Sequence, residues 1–245
     1  MKSPILTLRC AHRFQRRPVL IVGLLVLLAS LPLVSVLAEP PTVNPGPVGG
    51  PPSDAIVLFD GESLSEWRRE SGAAPHWKLG QGFMEVAPGG GLFSKREFGD
   101  CQLRVEWATP AAVSGESQGR GNSGVYLMGR YEVQVLDSWR NQTTPLGQAG
   151  ALYGVSAPLV NASRPPGEWQ TFDIIFRAPR RMADGMVQPG SLTVLHNGVL
   201  IHDHVPVPET PTTAAPLQGL AERGPIFLQD HGNPVRFRNL WIRPL

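Results

Sequence analysis

Gln102-Leu103-Arg104-Val105-Glu106-Trp107-Ala108 decides the fold. Leu103, Val105 and Trp107 fall on one parity, Arg104 and Glu106 on the other. That is the two-residue period of a strand with one face in a core and one in water. The period returns between Trp169 and Arg177, where Phe172, Ile174 and Phe176 alternate with Thr171, Asp173, Ile175 and Arg177. It returns again where Val235 and Phe237 alternate with Arg236 and Arg238. Between 193–196 and 199–202, Asn197-Gly198 is a strong hairpin signal, because a type I′ turn needs positive φ at both central residues. Further short strands are expected at 56–59, 83–86, 125–128, 131–136 and 225–229. Outside the first 38 residues no stretch sustains a helical stripe for three turns, and Gly and Pro recur throughout. Many short strands separated by turns predict an all-β fold, a β-sandwich or jelly roll.

Outward from that pattern, the N-terminus has a different character. Lys2, Arg9, Arg13, Arg16 and Arg17 precede an apolar run that ends in Val36-Leu37-Ala38. Basic residues, an apolar stretch and small residues at its end are the layout of a secretory signal. Residues 1–38 are therefore expected to be a signal peptide, and the protein to be exported to the periplasm or outside the cell. An uncleaved signal would make this run the only contact with a membrane. Residues 39–53 are dominated by Pro and Gly and are expected to form a linker, with one domain over 54–245.

The full chain carries 22 Lys and Arg against 20 Asp and Glu; without the five bases of the signal, 17 stand against 20, a net charge of −3. No basic field remains to attract nucleic acid, which removes that class of partner. Cys10 belongs to the signal, so Cys101 is left alone, without an internal disulfide partner, and reads as a small buried hydrophobe.

The candidate chemistry lies in Tyr131-Glu132-Val133-Gln134-Val135-Leu136-Asp137. Alternation puts Glu132 and Gln134 on one face, and a bulge near Leu136 would return Asp137 to it. The layout resembles the catalytic strand of laminarinase-type β-glucanases, with acids at offsets 0, +2 and +5. Here the middle position is an amide and the last acid is one methylene shorter, which departs from the paired carboxyls of a retaining glycosidase. A second cluster, Leu228-Gln229-Asp230-His231-Gly232, places Gln229 and His231 on one parity. His231 is a natural proton-transfer group. An odd three-residue loop at 129–131 would pair Met128 with Glu132 and bring Asn122 and Tyr126 to the polar face, with His231 converging there. His202 and His204 share a parity, but two histidines without a third ligand make weak evidence for zinc, and a solvated hairpin exit is the simpler reading.

These stretches, taken in order, carry a resemblance. Leu58-Phe59-Asp60-Gly61 with Trp67, Gly121-Asn122-Ser123-Gly124-Val125-Tyr126, and the Glu132 strand are followed by Gly150-Ala151-Leu152-Tyr153-Gly154. Pro165-Pro166-Gly167-Glu168-Trp169, Asn197-Gly198, and Leu228-Gln229-Asp230-His231-Gly232 leading to Phe237-Arg238-Asn239 complete the set. From Leu58 onward the chain resembles the 3-keto-disaccharide hydrolase domain family. The resemblance implies a concanavalin-like jelly roll, export in bacteria, and a carbohydrate substrate carrying a ketone at carbon 3. Such a ketone acidifies the carbon-2 proton, so one base, one donor to the enolate oxygen and one acid for the leaving group suffice. Glu132, Asp137 and His231 are the titratable candidates; Asn122, Tyr126, Gln134, Gln229 and Arg238 are candidate substrate contacts. The cofactor is open, a divalent metal being one way to polarise the ketone. A non-catalytic carbohydrate-binding module is the alternative that the same fold would serve.

Overall fold

The computed structural model describes residues 39–245; the expected signal peptide lies outside the described residues. The first half of the chain supplies β1 (Ile56–Phe59), β2 (Trp67–Arg68), β3 (Lys78–Leu79), β4 (Met84–Glu85), β5 (Leu92–Phe98), β6 (Cys101–Ala108), β7 (Ser123–Leu127) and β8 (Tyr131–Val135). The second half supplies β9 (Gln170–Arg177), β10 (Arg180–Arg181), β11 (Val187–Gln188), β12 (Gly190–His196), β13 (Val199–Val207), β14 (Gly224–Leu228) and β15 (Arg236–Pro244). Among the described residues the only helices are two 3₁₀ turns, Ser117–Gly119 and Pro145–Gly147.

The strands form a β-sandwich of the jelly-roll kind. One sheet has eight strands in the order β13-β12-β9-β6-β15-β4-β3, with β1 also on β15; the other has five, β2-β5-β14-β7-β8. Strands β10 and β11 make a small separate hairpin. Neighbours in sequence change sheets: β5 ends at Phe98 in one, and two residues later β6 begins at Cys101 in the other.

Period-two alternation fills the space between the sheets. From the large sheet, Leu103, Val105, Trp107, Phe172, Ile174, Phe176 and Phe237 are fully buried; Val125, Leu127, Val133 and Val135 meet them from the small one. Cys101 is buried among them as a free thiol, pushed up to about 12 by desolvation. Asn197 and Gly198 take the expected positive φ, 51° and 80°, at the β12–β13 turn.

The Pro- and Gly-rich stretch before β1 is tied down rather than trailing. Ser53 N–H donates to the Asn44 carbonyl at 2.9 Å, and the Gly49 carbonyl accepts from Asn239 Nδ2 at 2.8 Å. Prolines leave carbonyls without matching N–H groups, and outward donors of the large sheet take them up.

Candidate active site

The hairpin β7–β8 brings the first residues together. Its loop is Met128-Gly129-Arg130, with Leu127 opposite Tyr131 and Tyr126 opposite Glu132. Odd parity holds, but the pairing is two residues away from the expected Met128–Glu132. Met128 and Gly129 both adopt positive φ, 56° and 64°, which lets the turn close one residue earlier. Consequently Tyr126, Glu132 and Gln134 share the face turned away from the main core.

That face is not wet. Every residue of β7, β8 and β14 is buried, because loops around 145–153 and 212–217 cover the outer side. Thr212 Oγ1 accepts from the Glu132 N–H at 3.2 Å, and the Gln134 carbonyl accepts from the Gly150 N–H at 2.7 Å. Glycine at 124 leaves room for the two side chains: a Cβ would lie 2.5 Å from Glu132 Oε1 and 2.7 Å from Tyr126 Cε2, so one or both would have to shift.

Glu132 is 2% exposed and has no cation beside it. Desolvation pushes its carboxyl up to about 7 from 4.5, while the neighbouring Tyr126 hydroxyl pulls the other way. The Tyr126 phenol is itself pushed far up, first by burial and then by the Glu132 charge, so it stays protonated.

The surrounding amides have fixed orientations. Gln118 Nε2 donates to the Gly147 carbonyl at 2.9 Å and to Thr143 Oγ1 at 2.6 Å, leaving Gln118 Oε1 to accept from Gln134 Nε2 at 2.8 Å. Asn122 Nδ2 donates to the Gln118 carbonyl at 2.6 Å, and Gln229 Nε2 to the Tyr126 hydroxyl at 2.9 Å. With one N–H of each of these amides bonded to the protein, Asn122 Oδ1, Glu132 Oε2, Gln134 Oε1 and Gln229 Oε1 are buried acceptors without a protein donor. All four residues line one cavity of about 60 Å³, together with Gln118, Tyr153, Ala214 and His231. Buried polar atoms are rarely left unmatched, and four around one small space leave it able to accept hydrogen bonds from a donor-rich guest or from water.

His231 is exposed at the rim. Its loop is held by Asp230, whose Oδ2 accepts from the Gly89 and Gly90 N–H groups at 3.2 and 3.0 Å, and by Ser123 Oγ donating to the Gln229 carbonyl at 2.6 Å. Glu132, Gln134, Asn122, Gln229 and His231 thus gather as the alternation predicts, and Tyr126 supports them from beneath.

Three expectations are corrected. Asp137 does not return to the Glu132 face: β8 ends at Val135, and Asp137 Oδ2 accepts from Arg120 Nε at 2.7 Å in a different cavity. Its other oxygen accepts from the Trp139 N–H, so both oxygens are held by protein donors away from Glu132. Arg238 lies on β15 of the large sheet, where Nε donates to Glu106 Oε2 at 2.7 Å and the guanidinium covers Trp169 at 4.0 Å. His202 is buried, not solvated. The register slips along β13 turn it inward while His204 stays exposed, and its Nε2 donates to the Gly150 carbonyl at 2.8 Å. Burial holds its pKa below the usual range.

The sequence reading missed Gln118 and Tyr153. Tyr153 sits within the quoted Gly150–Gly154 stretch, and Gln118 lies in the loop before Gly121; neither has a strand parity to give it away. Among the described residues no three of His, Cys, Asp and Glu group in a metal-holding arrangement.

An all-β sandwich with one buried carboxyl in an amide-lined cavity suits a carbohydrate-active domain. More particularly, residues 54–243 match the 3-keto-alpha-glucoside-1,2-lyase-like domain, and the chain belongs to that family. Among solved structures, a candidate glycosyl hydrolase from Parabacteroides distasonis is 44% identical, with a TM-score of 0.79, over 85% of this chain and 93% of that one. Two others from the same organism, also described as candidate glycosyl hydrolases, share the fold. They are 18% and 22% identical, with TM-scores of 0.59 and 0.54, each over 78% of this chain and over 94% and 99% of their own. No curated protein matches the sequence.

Proposed function

We propose that the domain cleaves 3-keto-glycosides by elimination, with Glu132 as the base. The observation that carries this reading is a single buried carboxyl, held near neutrality, among four unmatched acceptors. A retaining glycosidase needs two carboxyl groups about 5 Å apart, and Glu132 is the one carboxyl lining this cavity. Elimination needs only one. The carboxylate takes the carbon-2 proton, and that C–H electron pair becomes an enolate with the carbon-3 ketone. The enolate then expels the oxygen on carbon 1, which leaves as an alcohol once protonated. Water adding to the resulting carbon–carbon double bond makes the net reaction a hydrolysis. The unmatched oxygens of Asn122, Gln134 and Gln229 accept the sugar's hydroxyl protons, while Tyr153 and His231 are the donors available to the enolate and the leaving oxygen. A base with a pKa near 7 suits proton abstraction at neutral pH. The leader composition supports action outside the cytoplasm, and the mass of the exported protein tests it through loss of residues 1–38.

The deciding experiment incubates the full chain with paired native and 3-keto disaccharides in D₂O, with and without a chelator. Cleavage of the keto form alone, with deuterium found at carbon 2 of recovered substrate or product, is expected. Equal cleavage of the native sugar overturns elimination. Binding without turnover replaces the enzyme with a carbohydrate-binding module.

A further inference from the structure

The cavity at Glu132, about 60 Å³, is well below the roughly 300–1,000 Å³ of small-molecule sites and too small for two sugar rings. The rest of a disaccharide must lie beside it, and the small sheet shows where. Phe227 on β14 stands two residues before Gln229, on the same parity, paired with Tyr126 on one side and Phe93 on the other. Phe93, Tyr126 and Phe227 form their own cluster, with Phe227 centroid distances of 4.5 Å to Phe93 and 5.2 Å to Tyr126, separate from the main core. Over Phe93 and Phe227 opens a second cavity of about 410 Å³, rimmed by Arg69, Ser71, Gly90 and Pro216.

Three links join the two spaces. Phe227 on β14 and Gln229, one residue past its end, share a parity. Ala214 of the first cavity and Pro216 of the second belong to one covering segment. Asp230, between Gln229 and His231, grips the N–H groups of Gly89 and Gly90 that wall the second cavity. The loop carrying His231 therefore touches both spaces, His231 lining the first and Asp230 holding a wall of the second.

We propose that this second cavity is the subsite for the leaving sugar, resting on the elimination reading of the first. Little of either ring reaches the cavity, Phe93 being 3% and Phe227 8% exposed, so the sugar's carbon–hydrogen groups touch the part of Phe227 that does, and its hydroxyls meet the Arg69 side chain, which the Gly89 carbonyl holds at 3.0 Å. Ser71, exposed on the rim, gives a clean way to fill the space.

The test compares a 3-keto-disaccharide with the methyl glycoside of the same 3-keto sugar, which lacks the second ring. Ser71→Trp and Arg69→Ala are expected to raise KM for the disaccharide by about tenfold or more, one tenfold step being one strong contact or its equivalent. The methyl substrate should stay within about twofold on the same scale. Equal shifts for both substrates, or no shift for either, overturn the subsite. If the wild type turns over neither, the elimination reading falls, and calorimetry decides the subsite alone. Tighter binding of the disaccharide than of the methyl glycoside, lost in Ser71→Trp, supports it; equal binding of the two overturns it.

Discussion

Glu106 and Glu132 sit on antiparallel strands of opposite sheets, each flanked by core residues, yet their surroundings are reversed. Glu106 on the large sheet accepts from Arg238 Nε at 2.7 Å and Asn239 Nδ2 at 2.8 Å, with Arg104 at 3.9 Å. Glu132 on the small sheet has no cation, and one of its oxygens has no protein donor. A carboxylate answered on all sides fixes a register; one left unanswered in a dry place can take up and release a proton. On the proposed reading the large sheet is scaffold and the small sheet carries the chemistry.

The sharpest way to break this contrast is Glu132→Gln. It keeps the shape and removes the base, so turnover of a 3-keto-disaccharide should fall by roughly 10²-fold or more, with the melting temperature at pH 7 not reduced. His231→Ala should show a comparable loss in the same assay, again without a fall in melting temperature. Near-normal turnover in both folded variants would remove Glu132 and His231 from the chemistry.

The next effect is on stability against pH. Between 4.5 and about 7 the folded protein holds a proton on Glu132 that the unfolded chain has released. That contribution is complete below pH 4.5 and is lost as pH rises through 7. At 1.36 kcal/mol per pKa unit it amounts to about 3 kcal/mol. Glu132→Gln lacks it, so its melting temperature relative to wild type should rise by about 5 °C or more between pH 4 and pH 8. Wild type and variant changing in parallel would refute the buried, unpaired carboxyl. Turnover should rise with pH through the same interval, since the base acts ionised.

His202→Ala probes the tie between the sheets. Losing its bond to the Gly150 carbonyl should cost about 1–3 kcal/mol, read by denaturant unfolding. Turnover should fall less than in Glu132→Gln, because Gly150 and Gln134 remain hydrogen-bonded. The smallest effect belongs to Arg238→Ala. The Glu106 site is partly exposed, so a loss of about 1 kcal/mol or less is expected, with turnover unchanged. A large catalytic defect there would restore Arg238 to the site.

Much of this was legible in the sequence. Alternation alone identified β6, β9 and the two inward faces, because a strand's burial pattern is written locally. It also put Glu132, Gln134, Gln229 and His231 on converging parities. Asp137 and His202 escaped because both lie just past an irregularity, a strand end and a slipped register, where the period of two stops counting. Arg238 was misplaced for a different reason: parity reports the face of a strand, not the sheet to which the strand belongs. Gln118 and Tyr153 come from loops and became visible only through the cavity they line.

The committed amide nitrogens around Glu132 have an electrostatic consequence. Asn122, Gln134 and Gln229 each have one N–H tied to the protein, which fixes the amide and leaves its oxygen, the negative end of its dipole, without a protein donor. Reorienting any one would break its present bond, so these three oxygens keep their places whatever the guest. On the proposed reading the hydroxyl hydrogens of an uncharged sugar answer them, whereas a uronic acid or a phosphorylated sugar would bring like charge against them.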